Sequence, residues 1–454
     1  MSEAKNDLKH IAVLAFPFAT HAAPLFSLIR RLSTMAPQAK FSFFSTKESN
    51  SKIFSNQGRM ESIKPYNVND GLPEDYMISF ANPHEPVEYF LKAVPGNFKQ
   101  AMEVAVQVIG REITCIISDA FFWFGADIAR ELHVPWVPLW TAGPRPLLLH
   151  LETDLVRQKM GGDGKVFDGV PEDRTMDFLP GFSEIRAADI PKELLYEDEK
   201  PGIPAILYKM GKMLPRAAAG VLSSWEKLDP DVVNQLQSRL HNFLEVGPLV
   251  LTSPDPVMSD PQCCLEWLDK QKRGSVLYVC FGSMIVPPPH ELAELAEALE
   301  ECDSPFLWSF RDNPEAKLTE GFLERTKEKG KVVSWTPQLK VLQHNATGVF
   351  LTHAGWNSIS ESIVGCVPMI CRPFFGDQAL NTRTVEAIWK IGVGIEGGTI
   401  TKDGVTKAIK LILSTEEGEK MRKNVEHLQH LALDAVSNGS SSKNFEALLV
   451  VVTK

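Results

Sequence analysis

A chain of 454 residues is too long for one ordinary domain and suits two of roughly 200 residues each. Hydrophobic residues at 44% and charged residues at 23% are those of a globular protein with sizeable cores, not of a disordered or fibrous chain. The net charge of −10 argues against nucleic acid as a partner, yet leaves phosphate binding open, because backbone N–H groups can perform it.

Residues 10–16 are apolar and of strand type. Lys5 and Lys9 precede them like the basic end of a leader, but Glu3 and Asp7 interleave the lysines, and Pro17, Thr20, His21 and Pro24 interrupt the run. No stretch reaches the roughly 18 apolar residues needed to span a bilayer. The expected location is the cytoplasm, with no membrane span. The turn 17–23 leads into a helix with Leu25, Leu28, Ile29 and Leu32 on one face and Arg30 and Arg31 on the other. A second strand follows at 40–44. This βαβ start predicts a doubly wound α/β sheet, with ligands at the carboxyl ends of its strands. The first turn, FPFATHAAP, has no GxGxxG, which counts against a nicotinamide oxidoreductase.

Residues 60–82 read as loop and 87–108 as helix. Strands at 113–118 and 134–140 end at Asp119 and Thr141. Residues 152–198, rich in Gly, Pro and charge, are expected to be irregular, a loop beside an acceptor site. Short strands at 219–223 and 244–247 complete the first half. Residues 249–261 hold three prolines and no helical period, and read as a linker. The βα alternation then resumes: strand 275–281, helix 289–301, strand 306–310 and strand 331–334. Beyond the stretch 335–378 come a strand at 392–395, a helix from Thr401, and helices at 416–436 and 441–452. Seven cysteines form no CxxC pair and no zinc spacing, so reduced thiols and no metal site are expected.

The stretch 335–378, WTPQLKVLQHNATGVFLTHAGWNSISESIVGCVPMICRPFFGDQ, organises the second half. The apolar run 348–352 is followed by a turn at His353 and then a helix to residue 364, with Asn357 or Ser358 as its N-cap. A helix opening directly beyond a strand presents unpaired N–H groups and a positive dipole end, which is a phosphate site. Trp335 offers a flat surface for a base, and Gln338 a hydrogen-bonding edge. Asp377 and Gln378, after the strand 368–371, suit sugar hydroxyls. Base, diphosphate and sugar each have a matching group, in order along the chain. Gly282-Ser283 beyond the strand 275–281 is a plain turn, or a place where backbone N–H groups approach an anion. Ser358-x-x-Glu361 reads by itself as a capping box.

The stretch 335–378 resembles, nearly position for position, the signature box of plant family 1 UDP-glycosyltransferases, with Ala354 where many members have Cys. DAFFWF, WTAGP and RPFFGDQ further resemble the flavonoid 3-O-glucosyltransferases among them, and the likeness spans nearly the whole chain. The resemblance implies the GT-B architecture: two Rossmann-like doubly wound domains facing a cleft. On that reading residues 1–248 bind the acceptor, 249–261 link, 262–440 bind the UDP-sugar, and 441–454 form a helix packing back on the first domain. It implies that Trp335 stacks on uracil, that Gln338 and Glu361 bind ribose, and that His353, Asn357, Ser358 and Ser283 hold the diphosphate. Trp356, Asp377, Gln378 and Thr141 would meet the sugar.

Transfer of a sugar to a hydroxyl needs a base, stabilisation of the leaving diphosphate, and exclusion of water. His21 follows the first strand, and Asp119 ends another strand of the same sheet. A carboxylate on one imidazole nitrogen fixes the tautomer and stabilises the imidazolium. Taken alone, His21 reads as a solvated loop histidine and Asp119 as a turn or cap residue; the resemblance implies a catalytic His21 oriented by Asp119. It also implies inverting transfer from UDP-glucose to a flavonol or anthocyanidin 3-hydroxyl, with no metal or other cofactor. Phe18, Phe121 and Phe375 are expected against a planar acceptor, with His150 near its polar handle, whereas Trp123, Phe124 and Trp140 read as core. Gln378 accompanies UDP-glucose in this family, with UDP-galactose, UDP-rhamnose or another phenolic acceptor as alternatives. A non-catalytic nucleotide-sugar-binding protein would keep the box and lose the His–Asp pair. Nothing suggests assembly, so the partners expected are the small-molecule substrates of a monomer.

Overall fold

The computed structural model describes residues 8–18, 20–55, 60–73, 85–161, 171–195, 202–252 and 260–454. The chain divides into two compact units. The first comprises Met1–Gly169, Lys192–Pro256 and Ala435–Lys454, the second Val170–Pro191 and Val257–Asp434.

The first unit is built on seven parallel strands: β1 (His10–Leu14), β2 (Lys40–Thr46), β3 (Ile63–Val68), β4 (Cys115–Asp119), β5 (Trp136–Trp140), β6 (Gly220–Leu222) and β7 (Phe243–Glu245). Their order is β3-β2-β1-β4-β5-β6-β7. The central strands are buried along their whole length, as a parallel sheet covered on both faces requires. Helix Ala22–Met35 lays Leu25, Phe26, Leu28, Ile29 and Leu32 on the sheet. The second unit has six parallel strands, β8 (Val276–Cys280), β9 (Phe306–Ser309), β10 (Gly330–Val333), β11 (Thr347–Thr352), β12 (Met369–Cys371) and β13 (Gly392–Gly394), in the order β10-β9-β8-β11-β12-β13. Counted from its own first strand, each sheet begins 3-2-1-4-5-6. Each therefore has a topological switch between its first and fourth strands, the place where doubly wound sheets bind ligands. This is the Rossmann-like pair of domains of the GT-B fold.

Several elements differ from the sequence expectation. Residues 60–82 were expected as loop, but Ile63–Val68 forms edge strand β3, whose Ile63, Tyr66 and Val68 are buried and whose Pro65 is tolerated because one side of the strand is unpaired. The helix expected at 87–108 is two helices, Glu85–Ala93 and Gly96–Ile109, broken at Val94-Pro95. The expected linker begins with a helical turn, Leu249–Thr252, whose Leu249 joins the first core; its residues 253–259 lie outside the described residues. Residues 152–198 hold the helix Thr153–Met160, and 171–191 belong to the second unit. There Phe182 and Ile185 are fully buried, and the Glu184 carbonyl accepts a hydrogen bond from Arg383 Nε at 2.8 Å. The last helix, Ser440–Thr453, packs in the first unit's core through Phe445, Leu448 and Val452. Among the described residues no helix is long and apolar enough to cross a membrane.

Candidate active site

In the first unit three neighbouring strands deliver the candidate residues to one edge. β1 leads to His21, which occupies the N-cap of helix Ala22–Met35. Leu14 of β1 pairs with Ser118 of β4, so Asp119, the next residue, emerges beside the β1 exit. Asp119 in turn pairs with Leu139 of β5, two residues before Thr141. His21 Nδ1 lies 2.8 Å from Asp119 Oδ2 and 3.1 Å from Thr141 Oγ1. A carboxylate only accepts, so Nδ1 carries the proton and Nε2 presents its lone pair. Asp119 is 1% exposed, and its Oδ1 accepts the Phe121 N–H at 2.9 Å, which fixes the carboxylate plane.

Aromatic rings surround this pair. The Phe121 ring centre is 4.5 Å and that of Phe16 5.1 Å from the imidazole; Phe18 packs edge-on against Phe16 at 5.3 Å. Phe121 also approaches Trp140, whose far side meets His150 at 5.6 Å. His150 is buried, its Nδ1 has no hydrogen-bond partner among the described residues, and burial pushes its pKa down to about 4. Trp140 and Phe124 are buried, in keeping with a core role, and Trp123 is half-buried. Phe90, fully buried 5.5 Å from Phe18, was missed by sequence reasoning; in the sequence it is one apolar residue of a helical face.

In the second unit the corresponding strands β8, β11 and β12 deliver the turn at Gly282–Ser283, the turn at 353–355 and the loop 372–377, with Thr352 paired to both Cys280 and Cys371. Ser283 is exposed. The helix beyond β11 is Trp356–Val364 with Gly355 as N-cap, so Asn357 and Ser358 lie in its first turn and not at the cap. The open N–H groups therefore begin two or three residues earlier than expected. The expected capping box does not form: Glu361 Oε2 instead accepts from Gln338 Nε2 at 2.6 Å, and the same nitrogen donates to Ser358 Oγ at 3.2 Å. Gln338 Oε1 accepts from the fully buried Tyr278 hydroxyl at 3.1 Å, which also bonds Thr336 Oγ1 at 2.7 Å. Burial pushes the Glu361 carboxyl up to about 7, against the pull of the Gln338 hydrogen bond. Tyr278 was not singled out in the sequence, since a mid-strand aromatic residue reads as core.

His353 is walled by two glycines. A Cβ on Gly282 would stand 2.7 Å from His353 Cε1, and one on Gly355 2.5 Å from its Nε2. Burial lowers the His353 pKa to about 4, so near neutral pH the ring is an uncharged donor. Trp335 follows β10 with 37% of its surface exposed, and Trp356 is buried. Asp377 is the N-cap of helix Gln378–Arg383, and Gln378 Oε1 accepts the N–H groups of Phe374 and Phe375 at 2.8 and 3.2 Å. Phe375 is 58% exposed. Phe18, Phe121, His150, Thr141, His21 and Asp119 thus belong to the first unit, and Phe375 to the second with the residues expected at the nucleotide and sugar.

A family model described as UDP-glucoronosyl and UDP-glucosyl transferase matches residues 242–436. A flavonoid 3-O-glucosyltransferase of Medicago truncatula is 50% identical, the match covering 99% of this chain and 98% of that one. The chain belongs to the UDP-glycosyltransferase family. A flavonol 3-O-glucosyltransferase of Actinidia chinensis var. chinensis is 48% identical over 98% of this UDP-glycosyltransferase and 96% of its own length. Among solved structures, a UDP-glucose:anthocyanidin 3-O-glucosyltransferase in complex with UDP matches with a TM-score of 0.93 and 39% identity, over 99% of both chains.

Proposed function

We propose that this UDP-glycosyltransferase moves glucose from UDP-glucose to the 3-hydroxyl of a flavonol or anthocyanidin, with inversion at the anomeric carbon. The observation that carries the reading is the buried Asp119 carboxylate on His21 Nδ1, which leaves Nε2 as a base. In the proposed step Nε2 takes the acceptor hydroxyl proton as that oxygen attacks the anomeric carbon. The bond to the diphosphate breaks on the opposite face, and its electron pair leaves with UDP. The first turn of helix Trp356–Val364 and the neutral His353 ring donate hydrogen bonds to that leaving charge, so the reading routes no step through a metal. Uracil would stack on Trp335 and ribose would meet Gln338 and Glu361. Because Gln378 Oε1 is engaged by backbone N–H groups, a sugar hydroxyl would meet its amide nitrogen. The ring cluster of Phe16, Phe18 and Phe121 suits a planar phenolic acceptor. A protein that only held the nucleotide sugar would have no use for the His–Asp pair.

The reading is tested by incubating the full chain with quercetin and UDP-glucose or UDP-galactose, and mapping the product. The expected outcome is the β-linked 3-O-glucoside, with UDP-glucose the better donor. Attachment elsewhere defeats the regiochemistry, and a preference for UDP-galactose defeats the donor assignment. His21→Ala is expected to lower kcat about 10²–10⁴-fold with UDP affinity kept. Undiminished turnover would remove His21 from the mechanism.

A further inference from the structure

Loop 372–377 and the turn 353–355 leave neighbouring strands, β12 and β11, and one side chain ties them together. Asn381, 4% exposed on the helix Gln378–Arg383, points its amide nitrogen at two oxygens: the Ala354 carbonyl and Asp377 Oδ2, each at 3.0 Å. Both partners are acceptors, so the group between them is the NH2, with one hydrogen for each. Ala354 has the left-handed φ of 62°, unusual for a residue with a side chain, and is fully buried in the turn between His353 and Gly355. Asn381 holds the carbonyl of that strained residue. It also donates to one oxygen of the Asp377 carboxylate, Oδ2, and so holds that carboxylate to the same turn.

We infer that Asn381 is a positioning residue for the donor sugar: it sets the Asp377 carboxylate and locks it to the turn that holds the diphosphate. The inference rests on the proposed role of Asp377 at the sugar. Its chemistry predicts a specific pattern, because the share of its effect that runs through Asp377 disappears once Asp377 is gone, and only the bond to the Ala354 carbonyl remains. A residue that merely stabilises the fold loses the same amount in either background.

The test is a double-mutant cycle on the full-length protein, with UDP-glucose varied at a fixed flavonol concentration and UDP affinity measured by calorimetry. Asn381→Ala is expected to lower kcat/KM for UDP-glucose about 10- to 100-fold, with the Kd of UDP changed less than about threefold. In the Asp377→Ala background the same change is expected to cost at least about fivefold less than in the wild type. Losses that multiply, or a loss of UDP affinity as large as the loss in kcat/KM, overturn the inference. Should Asn381→Ala not fold, Asn381→Leu, close in volume and with neither a donor nor a charge, takes its place in the same cycle. A wild type that glucosylates no flavonoid overturns the proposed function instead. In that case the affinity ratio of UDP-glucose to UDP still decides Asn381: a ratio that falls in Asn381→Ala supports it, and an unchanged ratio overturns it.

Discussion

Gly282 has φ of +77°, and the space a side chain would take is filled by the His353 ring. Alanine there meets two costs, the left-handed backbone at about 1–2 kcal/mol and the displacement of the imidazole. Gly282→Ala is expected to weaken UDP binding at least about tenfold, readable by calorimetry, since about 1.4 kcal/mol corresponds to a factor of ten. Glu361 gives a pH test of the same site. Its free pKa is raised to about 7 by burial, and ribose hydroxyls donating to it, as proposed, would favour the ionised form. UDP affinity should therefore fall about tenfold from pH 8 to pH 6, and Glu361→Gln should flatten that slope. The sign for stability is opposite. A carboxyl whose folded pKa lies above its unfolded value stabilises fully below the unfolded value, and that contribution is lost as pH rises through about 7. Bound UDP should offset that loss in thermal unfolding measured at pH 8.

At the scale of elements, the site follows from strand order. A residue at or beyond the end of the first or fourth strand of either sheet arrives at the switch point, as His21, Asp119, Gly282 and His353 do, while Thr141 and Asp377 follow the neighbouring fifth strand. That much was legible, because apolar runs ending in polar turn residues are a local pattern. What was not legible depends on tertiary neighbours. The Ser358–Glu361 spacing reads as a capping box, yet the helix begins at Trp356 and Glu361 turns to Gln338, a partner 23 residues away. The edge strand β3 was hidden because its buried residues, Ile63, Tyr66 and Val68, do not alternate cleanly and a proline lies among them. Asn381 had a local signal, the i,i+4 spacing from Asp377 on a short helix, but the Ala354 carbonyl it also meets is 27 residues distant. The loop 372–377 has a similar long-range brace. Arg372 lies 3.9 Å over the Phe374 ring, and its Nε donates to Glu291 Oε2 at 2.9 Å, while the Ile400 N–H donates to the same oxygen at 3.0 Å. Glu291 is 1% exposed, so Glu291→Ala leaves Arg372 without its counter-charge and is expected to destabilise by about 3–5 kcal/mol in thermal or denaturant unfolding.

At the scale of the whole molecule, five chain segments make two units, and the last of them returns to the first unit. Three kinds of contact hold it there. The Arg31 guanidinium lies 3.7 Å over the Phe445 ring, so the arginine face of helix Ala22–Met35 is partly covered. Ser441 Oγ donates to the Gly247 carbonyl at 2.7 Å, and Asn444 Nδ2 to that of Glu245 at 2.9 Å. Phe445, Leu448 and Val452 are buried in the core that also holds Leu25, Leu28 and Leu32 of helix Ala22–Met35, worth roughly 5–9 kcal/mol together at the usual value per buried apolar side chain. That is comparable to the whole stability of an ordinary domain. Deleting residues 440–454 should therefore unsettle the unit that presents the base while leaving the proposed nucleotide-binding residues covalently and locally intact. Two-domain proteins can unfold in separate steps, so the consequence is visible by calorimetry. The expected outcome is a lowered or lost transition for the first unit and no transfer, with a second transition that UDP still shifts upward. A truncated chain that retains full transfer would show that the last helix does not support the position of His21.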